Sequence, residues 1–351
     1  MQNLFCLRLR MKADAQVQTK RDKTMCTAIS YHTKNFYFGR TLDYDCSFGE
    51  QVAILPRNFP LNFRMVGELK RHYAMIGMAH VAAGVPLYYD GGNEKGLAIA
   101  GLNFVGNTYY FEQQKDKCNL AQFELIPYLL ATCKDVEEAI ERLKEINVTN
   151  HPFSAQYPVA ELHYLIADKN RCIVMELVED GMKIYDNPVG VLTNNPPFPK
   201  QLFSLNDYIN VTPEEPRNRF SAQYPLEEFS RGMGALGLPG DWTSKSRFAR
   251  AAFVKLNSVP AGDSEEESVN EFFHVMNSVS QPRGSGLWKG HYEITVYTSC
   301  FSAAKGTYYY TTYGNHRIHG VQLKKHDLDC ENLIVYPLEM KEEIAYQKAE
   351  D

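Results

Sequence analysis

Cys26 follows a methionine and opens the run Met25-Cys26-Thr27-Ala28-Ile29-Ser30-Tyr31. If translation starts at Met25 and that methionine is removed, Cys26 becomes the first residue, and one residue then carries both a thiol and a free α-amine. A thiolate is a strong nucleophile. An α-amine, with a pKa of about 7.7–8.0, is a general base close to working pH. Nucleophile and base on one residue is the N-terminal form of nucleophile activation. Arg40 and Asp43 follow in Phe38-Gly39-Arg40-Thr41-Leu42-Asp43. A guanidinium beside the sulfur favours the thiolate, and a carboxylate can hold and orient the ammonium. The competing reading is a core cysteine at the start of an ordinary hairpin, with Arg40 and Asp43 as surface charges. The residues alone leave both readings open.

A hairpin is the element that must bring these residues together. Residues 26–32 and 35–42 are rich in β-branched and aromatic side chains, and His32-Thr33-Lys34-Asn35 between them is turn-like. A two-residue turn at Thr33-Lys34 would pair Cys26 with Thr41 and lay Arg40 and Asp43 beside the cysteine. Further on, residues 50–57, 73–79 and 96–104 read as strands, with Gly91-Gly92-Asn93-Glu94-Lys95 as a turn. Residues 119–131 form an apolar helix-like run. A second helix follows with Asp135 as N-cap and Val136, Ala139, Ile140 and Leu143 as its stripe. Short strands at 162–167, 172–178, 183–186 and 189–193 precede a Pro-, Asn- and charge-rich stretch at 195–228, read as a long loop. Helices at 244–257 and 265–280 and strands at 292–300, 307–313, 317–324 and 332–336 complete the chain. Without steady βαβ alternation, the class is α+β and layered.

The chain has 351 residues, with 44% hydrophobic content, 22 Tyr and 19 Phe, enough for a large core and against disorder. Its net charge of −5 gives no basic surplus for nucleic acid. Residues 1–25 carry Arg8, Arg10, Lys12, Lys20, Arg21 and Lys23 against Asp14 and Asp22, a charge of +4 that leaves −9 for the rest. This stretch has no apolar run for a secretory signal, and it reads as an upstream in-frame extension, or secondly as a propeptide. No stretch is apolar enough to insert in a membrane. The eight cysteines lack CxxC pairs, which fits a reducing cytoplasm better than a disulfide framework or a zinc ribbon. Asn147 and Asn210 match glycosylation sequons, which carry no meaning in that compartment.

Gly232-Met233-Gly234-Ala235-Leu236-Gly237 matches G-x-G-x-x-G. A dinucleotide site needs a strand before this motif and a helix opening within it, and neither context is present. No G-x-S-x-G elbow or HExxH spacing occurs, and the Asp43/Asp45 pair lacks an EF-hand pattern. Arg247 near the start of a helix, Asn194 after a strand and Asn93 in its turn each have an ordinary structural reading. Functionally, the Asn194 amide and a backbone N–H at Asn93 would make an oxyanion hole for acyl transfer.

Ordered motifs join these residues. They are Met-Cys-Thr at 25–27, Phe-Gly-Arg-Thr-Leu-Asp at 38–43, Leu-Pro-Arg-Asn-Phe at 55–59 and Asp-Gly-Gly-Asn-Glu-Lys-Gly-Leu at 90–97. Ala-Gly-Leu-Asn-Phe at 100–104, Val-Leu-Thr-Asn-Asn-Pro at 191–196 and Gly-Leu-Pro-Gly-Asp-Trp-Thr at 237–243 continue the series. Ser-Arg-Phe at 246–248, Pro-Arg-Gly-Ser at 282–285 and Tyr-Thr-Ser-Cys at 297–300 complete it. In these the chain resembles the choloylglycine hydrolases, the bile salt hydrolase and penicillin V acylase family of N-terminal-nucleophile hydrolases. The resemblance implies an αββα sandwich of two antiparallel sheets between helix layers, as one domain over 26–340 between a 1–25 leader and a polar 341–351 tail. It implies Cys26 as nucleophile, Arg40 and Asp43 as the residues that set its ionisation and hold its amine, Asn194 and Asn93 as oxyanion donors, and Arg247 beside the nucleophile. It implies amide hydrolysis through a thioester with no metal or organic cofactor. Asn93 and the 282–285 motif look like the bile salt side of the family, so the expected substrate is a glycine- or taurine-conjugated bile salt, with penicillin V as the alternative. The apolar segments after Cys46, around 81–89 and near 153–158 are candidates to line its pocket. The 195–228 loop matches the tetramer-forming extension, so a homotetramer is expected. With the leader attached Cys26 has no free amine, and a non-catalytic ligand-binding protein is the alternative of another class.

Overall fold

The computed structural model describes residues 25–348; of the expected leader only Met25 is among them. The β-branched and aromatic run at the front forms the hairpin β1 (Met25–His32) and β2 (Phe36–Tyr44). Its turn holds three residues, not two, and His32 faces Phe36. The Thr33 N–H bonds the Asn35 carbonyl at 3.0 Å, and the Thr33 hydroxyl is 2.9 Å from Ser268. The register therefore pairs Cys26 with Leu42, not with Thr41, and Thr41 lies opposite Thr27. A one-residue slip exchanges the faces of a strand. In the expected register Arg40 would lie on the face opposite the thiol; in the observed one it shares that face, while Asp43 joins Thr27 and Thr41 on the other.

Strands β3 (Gln51–Leu55), β4 (Met75–Ala82), β5 (Val85–Asn93) and β6 (Ala98–Asn103) follow, then helices α1 (Leu125–Thr132) and α2 (Val136–Glu145). Next come β7 (Leu162–Ala167), β8 (Cys172–Val178), β9 (Gly181–Asp186) and the short β10 (Val191–Leu192). Helices α3 (Phe198–Phe203), α4 (Ser244–Asn257) and α5 (Glu265–Asn277) precede β11 (Gly286–Trp288), β12 (His291–Ser302), β13 (Thr307–Thr312), β14 (Asn315–Gln322) and β15 (Ile334–Pro337). A seven-stranded sheet runs β10-β1-β2-β12-β13-β14, with β11 added beside β12. An eight-stranded sheet runs β9-β8-β7-β6-β5-β4-β3-β15. Every pairing within both sheets is antiparallel.

The sheets stack face to face between helix layers, an αββα sandwich. One core cluster joins Cys26, Phe38, Ile76, Ala100 and Phe301 across the sheets and continues to Phe248 of α4 and Phe272 of α5. A second joins the outer face of the eight-stranded sheet to Leu129 and Leu143 of α1 and α2. Caps start the helices where the sequence indicates: Asp135 accepts the Glu138 N–H at 2.9 Å, Thr243 accepts Ser246 N–H, and Ser264 and Glu267 form a capping box.

Three expectations change. The 119–131 run is a strand at Cys118–Ala121, paired in parallel with Ile146–Thr149, before the helix proper begins at Leu125. The Gly91-Gly92-Asn93 stretch and most of 81–89 belong to strand β5 rather than to a turn and a pocket loop. Gly92 is in this strand because Phe301 of the facing sheet fills the space a side chain would need: a Cβ there would sit 2.2 Å from its ring. The 195–228 stretch is irregular apart from α3 and a 3-10 turn at Ser204–Tyr208, and it exposes Phe203, Ile209, Phe220 and Tyr224. Among the described residues no helix is long and apolar enough to cross a membrane.

Candidate active site

Cys26, the second residue of β1, is only 2% exposed and lies between the sheets. Its sulfur accepts a hydrogen bond from Arg40 Nη2 at 2.5 Å. The rest of that guanidinium is fixed by backbone: Nη1 donates to the Gly101 carbonyl of the facing sheet at 2.5 Å and Nε to the Thr41 carbonyl at 3.1 Å. Arginine suits this place because its planar fork reaches sulfur and carbonyl together without losing its charge. Burial pushes the Cys26 thiol up, and the Arg40 guanidinium is the strongest opposing influence. Behind Arg40 lies Asp90, 1% exposed, which accepts hydrogen bonds from Tyr297 (2.8 Å), Tyr308 (2.5 Å) and Ser299 (3.1 Å). Ser299 Oγ also accepts the Arg40 backbone N–H at 3.1 Å. Burial raises the Asp90 carboxyl, with Arg40 the first influence against it.

The backbone nitrogen of Cys26 faces another group. It donates to Asn194 Oδ1 at 2.8 Å, and Arg247 Nη2 donates to the same oxygen at 2.8 Å. Asn194 Nδ2 gives one hydrogen to the Asn103 carbonyl at 2.9 Å. An amide nitrogen carries two hydrogens, so one remains for an incoming oxyanion. Arg247, fully buried, also donates Nη1 to the Cys26 carbonyl (2.5 Å) and to Thr27 Oγ1 (2.6 Å), and Nε to the Trp242 carbonyl (3.1 Å). Asp43 lies 3.9 Å from Arg247 Nη1 and accepts from Thr295 (2.7 Å), Thr41 (3.1 Å) and Gln281 (3.1 Å). Burial raises Asp43 and lowers Arg247, and each is opposed first by the other.

Cys26, Arg40, Asp43, Asn194 and Arg247 thus converge. Asn93 does not. Its N–H donates to the Leu97 carbonyl at 2.9 Å, its Oδ1 accepts the N–H groups of Lys95, Gly96 and Leu97, and its Nδ2 donates to the carbonyls of Leu130 and Cys133. It is a buried asparagine that locks the β5–β6 turn to α1, at the end of β6 remote from Cys26. The asparagine that reaches the site from this sheet is Asn103, at the opposite end of β6. It stands in the Ala-Gly-Leu-Asn-Phe motif, and its strand-end position was the available signal.

Gln281, Thr295, Asp90 and Glu293 were missed, because their partners lie more than 200 residues away. Glu293 Oε1 accepts the Met25 N–H at 2.8 Å, and burial raises its carboxyl to about 7. Among the described residues no group of three His, Cys, Asp or Glu is placed to hold a metal ion.

Chemically, the arrangement presents a sulfur under a guanidinium, the main-chain nitrogen of the same residue and an amide donor beside both. Removal of Met25 would turn that nitrogen into an amine. These are the parts of an acyl-transfer site whose nucleophile and base belong to one residue.

The family model for linear amide C–N hydrolases of the choloylglycine hydrolase family matches residues 26–336. The bile salt hydrolase/transferase of Lactiplantibacillus plantarum is 51% identical over 315 residues, 90% of this chain and 97% of that protein. That of Clostridium perfringens is 36% identical, over 89% and 96% of the two chains. Among solved structures, a variant of the conjugated bile acid hydrolase from C. perfringens aligns with a TM-score of 0.85 at 34% identity, covering 92% of this chain and all of that one. A penicillin V acylase from Agrobacterium tumefaciens shares the fold, at a TM-score of 0.69 and 21% identity over 88% and 90% of the chains. A family match spanning nearly the whole sandwich, and running from Cys26 itself, makes this chain a member of the choloylglycine hydrolase family, a hydrolase of linear amide C–N bonds.

Proposed function

We propose that the chain is a bile salt hydrolase that cleaves the amide joining glycine or taurine to a bile acid, with Cys26 as nucleophile once Met25 is removed. The observation that carries this reading is the pair of contacts on Cys26: its sulfur under Arg40 at 2.5 Å and its nitrogen on Asn194 Oδ1 at 2.8 Å. In the proposed reaction the freed α-amine takes the thiol proton, and the thiolate attacks the amide carbon. Asn194 Nδ2 donates to the resulting oxyanion. The carbon–nitrogen bond breaks as the α-ammonium protonates the departing amino acid. Water, deprotonated by the same amine, then cleaves the thioester and releases the bile acid and the thiol. Asp43 and Arg247 hold the nitrogen end of Cys26, and Arg40 holds the sulfur end.

Identity of 51% to a relative named for bile salts supports the substrate. The relatives' names also include transferase activity, and an amine in place of water would resolve the same thioester. The exposed apolar residues of 203–229 support a homotetramer, and the seven free thiols among the described residues support a reducing cytoplasm.

The test is expression from Met25, intact-mass measurement, and assay on glycocholate, taurocholate and penicillin V beside Cys26→Ala. The expected result is a chain beginning at Cys26 that hydrolyses the bile salts and an inactive variant. Turnover of penicillin V alone would establish the acylase instead. A fully active chain that retains Met25 would overturn the nucleophile assignment, and a correctly processed chain that binds bile salts without turnover would be a binding protein.

A further inference from the structure

A buried ionisable pair lies behind Asn194 and takes no part in the chemistry above. His163 of β7 is fully buried and Glu176 of β8 is 1% exposed. His163 Nδ1 lies 3.2 Å from Glu176 Oε1, and His163 Nε2 lies 2.7 Å from the Thr193 carbonyl. The ring of Phe104 stacks on the imidazole, with centroids 4.4 Å apart and planes 6° apart, which fixes its orientation. Glu176 Oε1 also accepts the Phe198 N–H at 2.8 Å, at the start of α3.

Both imidazole nitrogens therefore face oxygen. A backbone carbonyl only accepts, so Nε2 must carry hydrogen. An ionised carboxylate only accepts as well, so the Nδ1 contact needs one more proton, on the ring or on the carboxyl. Either way the pair is electrically neutral as a unit and has both contacts satisfied, the condition under which such groups tolerate full burial.

The contact runs directly to the site. Thr193 precedes Asn194, and its carbonyl is the atom that His163 holds. The Asn194 N–H donates to Ser244 Oγ at 2.8 Å, and its carbonyl accepts from Gln201 Nε2. Gln201 is carried by α3, whose first N–H is the one held by Glu176. One proton shared by two buried residues thus fixes both the strand end before Asn194 and the helix that clamps its carbonyl.

We propose that His163 and Glu176 are positioning residues that aim the Asn194 amide at the oxyanion through Thr193. This rests on the reading of Asn194 as the oxyanion donor. Misplacing a preorganised donor lowers the chemical step more than substrate binding. In mature enzyme, His163→Gln and Glu176→Gln are each expected to lower kcat for glycocholate by about 10- to 100-fold, with KM within about twofold. The rate of Cys26 alkylation by iodoacetamide, which needs no oxyanion donor, is expected to stay unchanged. The double variant, in which two amides replace the proton-sharing pair, is expected to be no slower than the slower single variant. Crystal structures of the single variants are expected to show Thr193 and Asn194 displaced. A folded single variant with wild-type kcat, multiplicative losses in the double, or a rise in KM alone would overturn the proposal. If the wild-type enzyme fails to turn over glycocholate, the proposed function fails separately. The crystal structures still decide this inference, since Thr193 and Asn194 unmoved in both variants would refute it.

Discussion

Replacing Arg40 with methionine removes the guanidinium from Cys26 while leaving a side chain of similar length. Arg40 Nη2 lies 2.5 Å from the sulfur and is the strongest influence opposing the burial that raises the thiol. An opposite charge at such range lowers the pKa of an acidic group by about 1–3, which corresponds to about 1.4–4 kcal/mol. The guanidinium stabilises thiolate, so its loss raises the thiol. At any pH below both midpoints the thiolate fraction falls about tenfold for each pH unit by which the midpoint rises, so alkylation and kcat/KM fall by about 10- to 1000-fold. Above both midpoints the two proteins converge. The assay is the rate of Cys26 alkylation by iodoacetamide from pH 5 to pH 10, read by intact mass on mature enzyme. Arg40→Lys is the companion, because it keeps the charge and should keep most of the midpoint. Breaking a buried charge cluster also costs stability, about 3–5 kcal/mol when one partner is removed. Asp90 is the carboxylate left behind, so adding Asp90→Asn should restore part of the loss. The reasoning is refuted if folded Arg40→Met shows the wild-type midpoint or a lower one.

Two further outcomes follow from neighbouring geometry. Glu293, beside the Met25 N–H, is raised by burial to about 7 from an ordinary value of 4.5. A raised carboxyl contributes stability that is fully present below its unfolded pKa and lost as pH rises through the folded one. The Tm of the chain with residues 1–25 attached, in which Met25 keeps a peptide N–H, should therefore fall more steeply between pH 5 and pH 8 than that of the same chain with Glu293→Gln, and parallel Tm–pH curves would contradict the assignment. Gly39 lies against β12 so closely that an added Cβ would meet the Ser299 carbonyl oxygen at 1.9 Å and its carbon at 2.6 Å. Because that atom is backbone, Gly39→Ala should destabilise by about 3 kcal/mol or more, read from urea unfolding, and a loss under about 1 kcal/mol would show that the strands can part.

The legible part of the site is the part written close together. Cys26, Arg40 and Asp43 stand on the two arms of one hairpin, so strand propensity and a turn signal suffice to bring them near one another. The turn length was not legible, because the extra residue is held by side-chain and backbone bonds of Thr33 and Asn35 and by contact with Ser268 on a distant helix. That single residue decides which face Arg40 occupies. Asn93 shows the same limit from the other side. Its glycine-flanked context signals a tight turn, and a tight turn is present. The glycines, however, serve close strand and sheet packing, and the asparagine serves to tie N–H groups of the turn to the carbonyls of Leu130 in α1 and of Cys133 just after it. Asn103, ten residues on, has no turn signal and reaches the site only because β6 crosses beneath the hairpin.

The remaining partners are illegible for a physical reason. Thr295 and Gln281 meet Asp43, and Arg247 meets Thr27, because α4 and β12 pack against the hairpin across more than 200 residues of chain. Serine, threonine and glutamine in strands and loops are too common to mark a site, and only the register of β12 beside β2 gives them an address. That same packing leaves the proposed site already assembled around Cys26 while Met25 is attached. With Met25 attached, the Cys26 nitrogen already bonds Asn194, its carbonyl already bonds Arg247, and its sulfur already bonds Arg40. Removal of the residues before Cys26 would change the charge of that nitrogen while leaving Cys26–His32 paired with β2. If Cys26 is freed as proposed, activation is a change of chemistry at a preorganised atom rather than a change of fold.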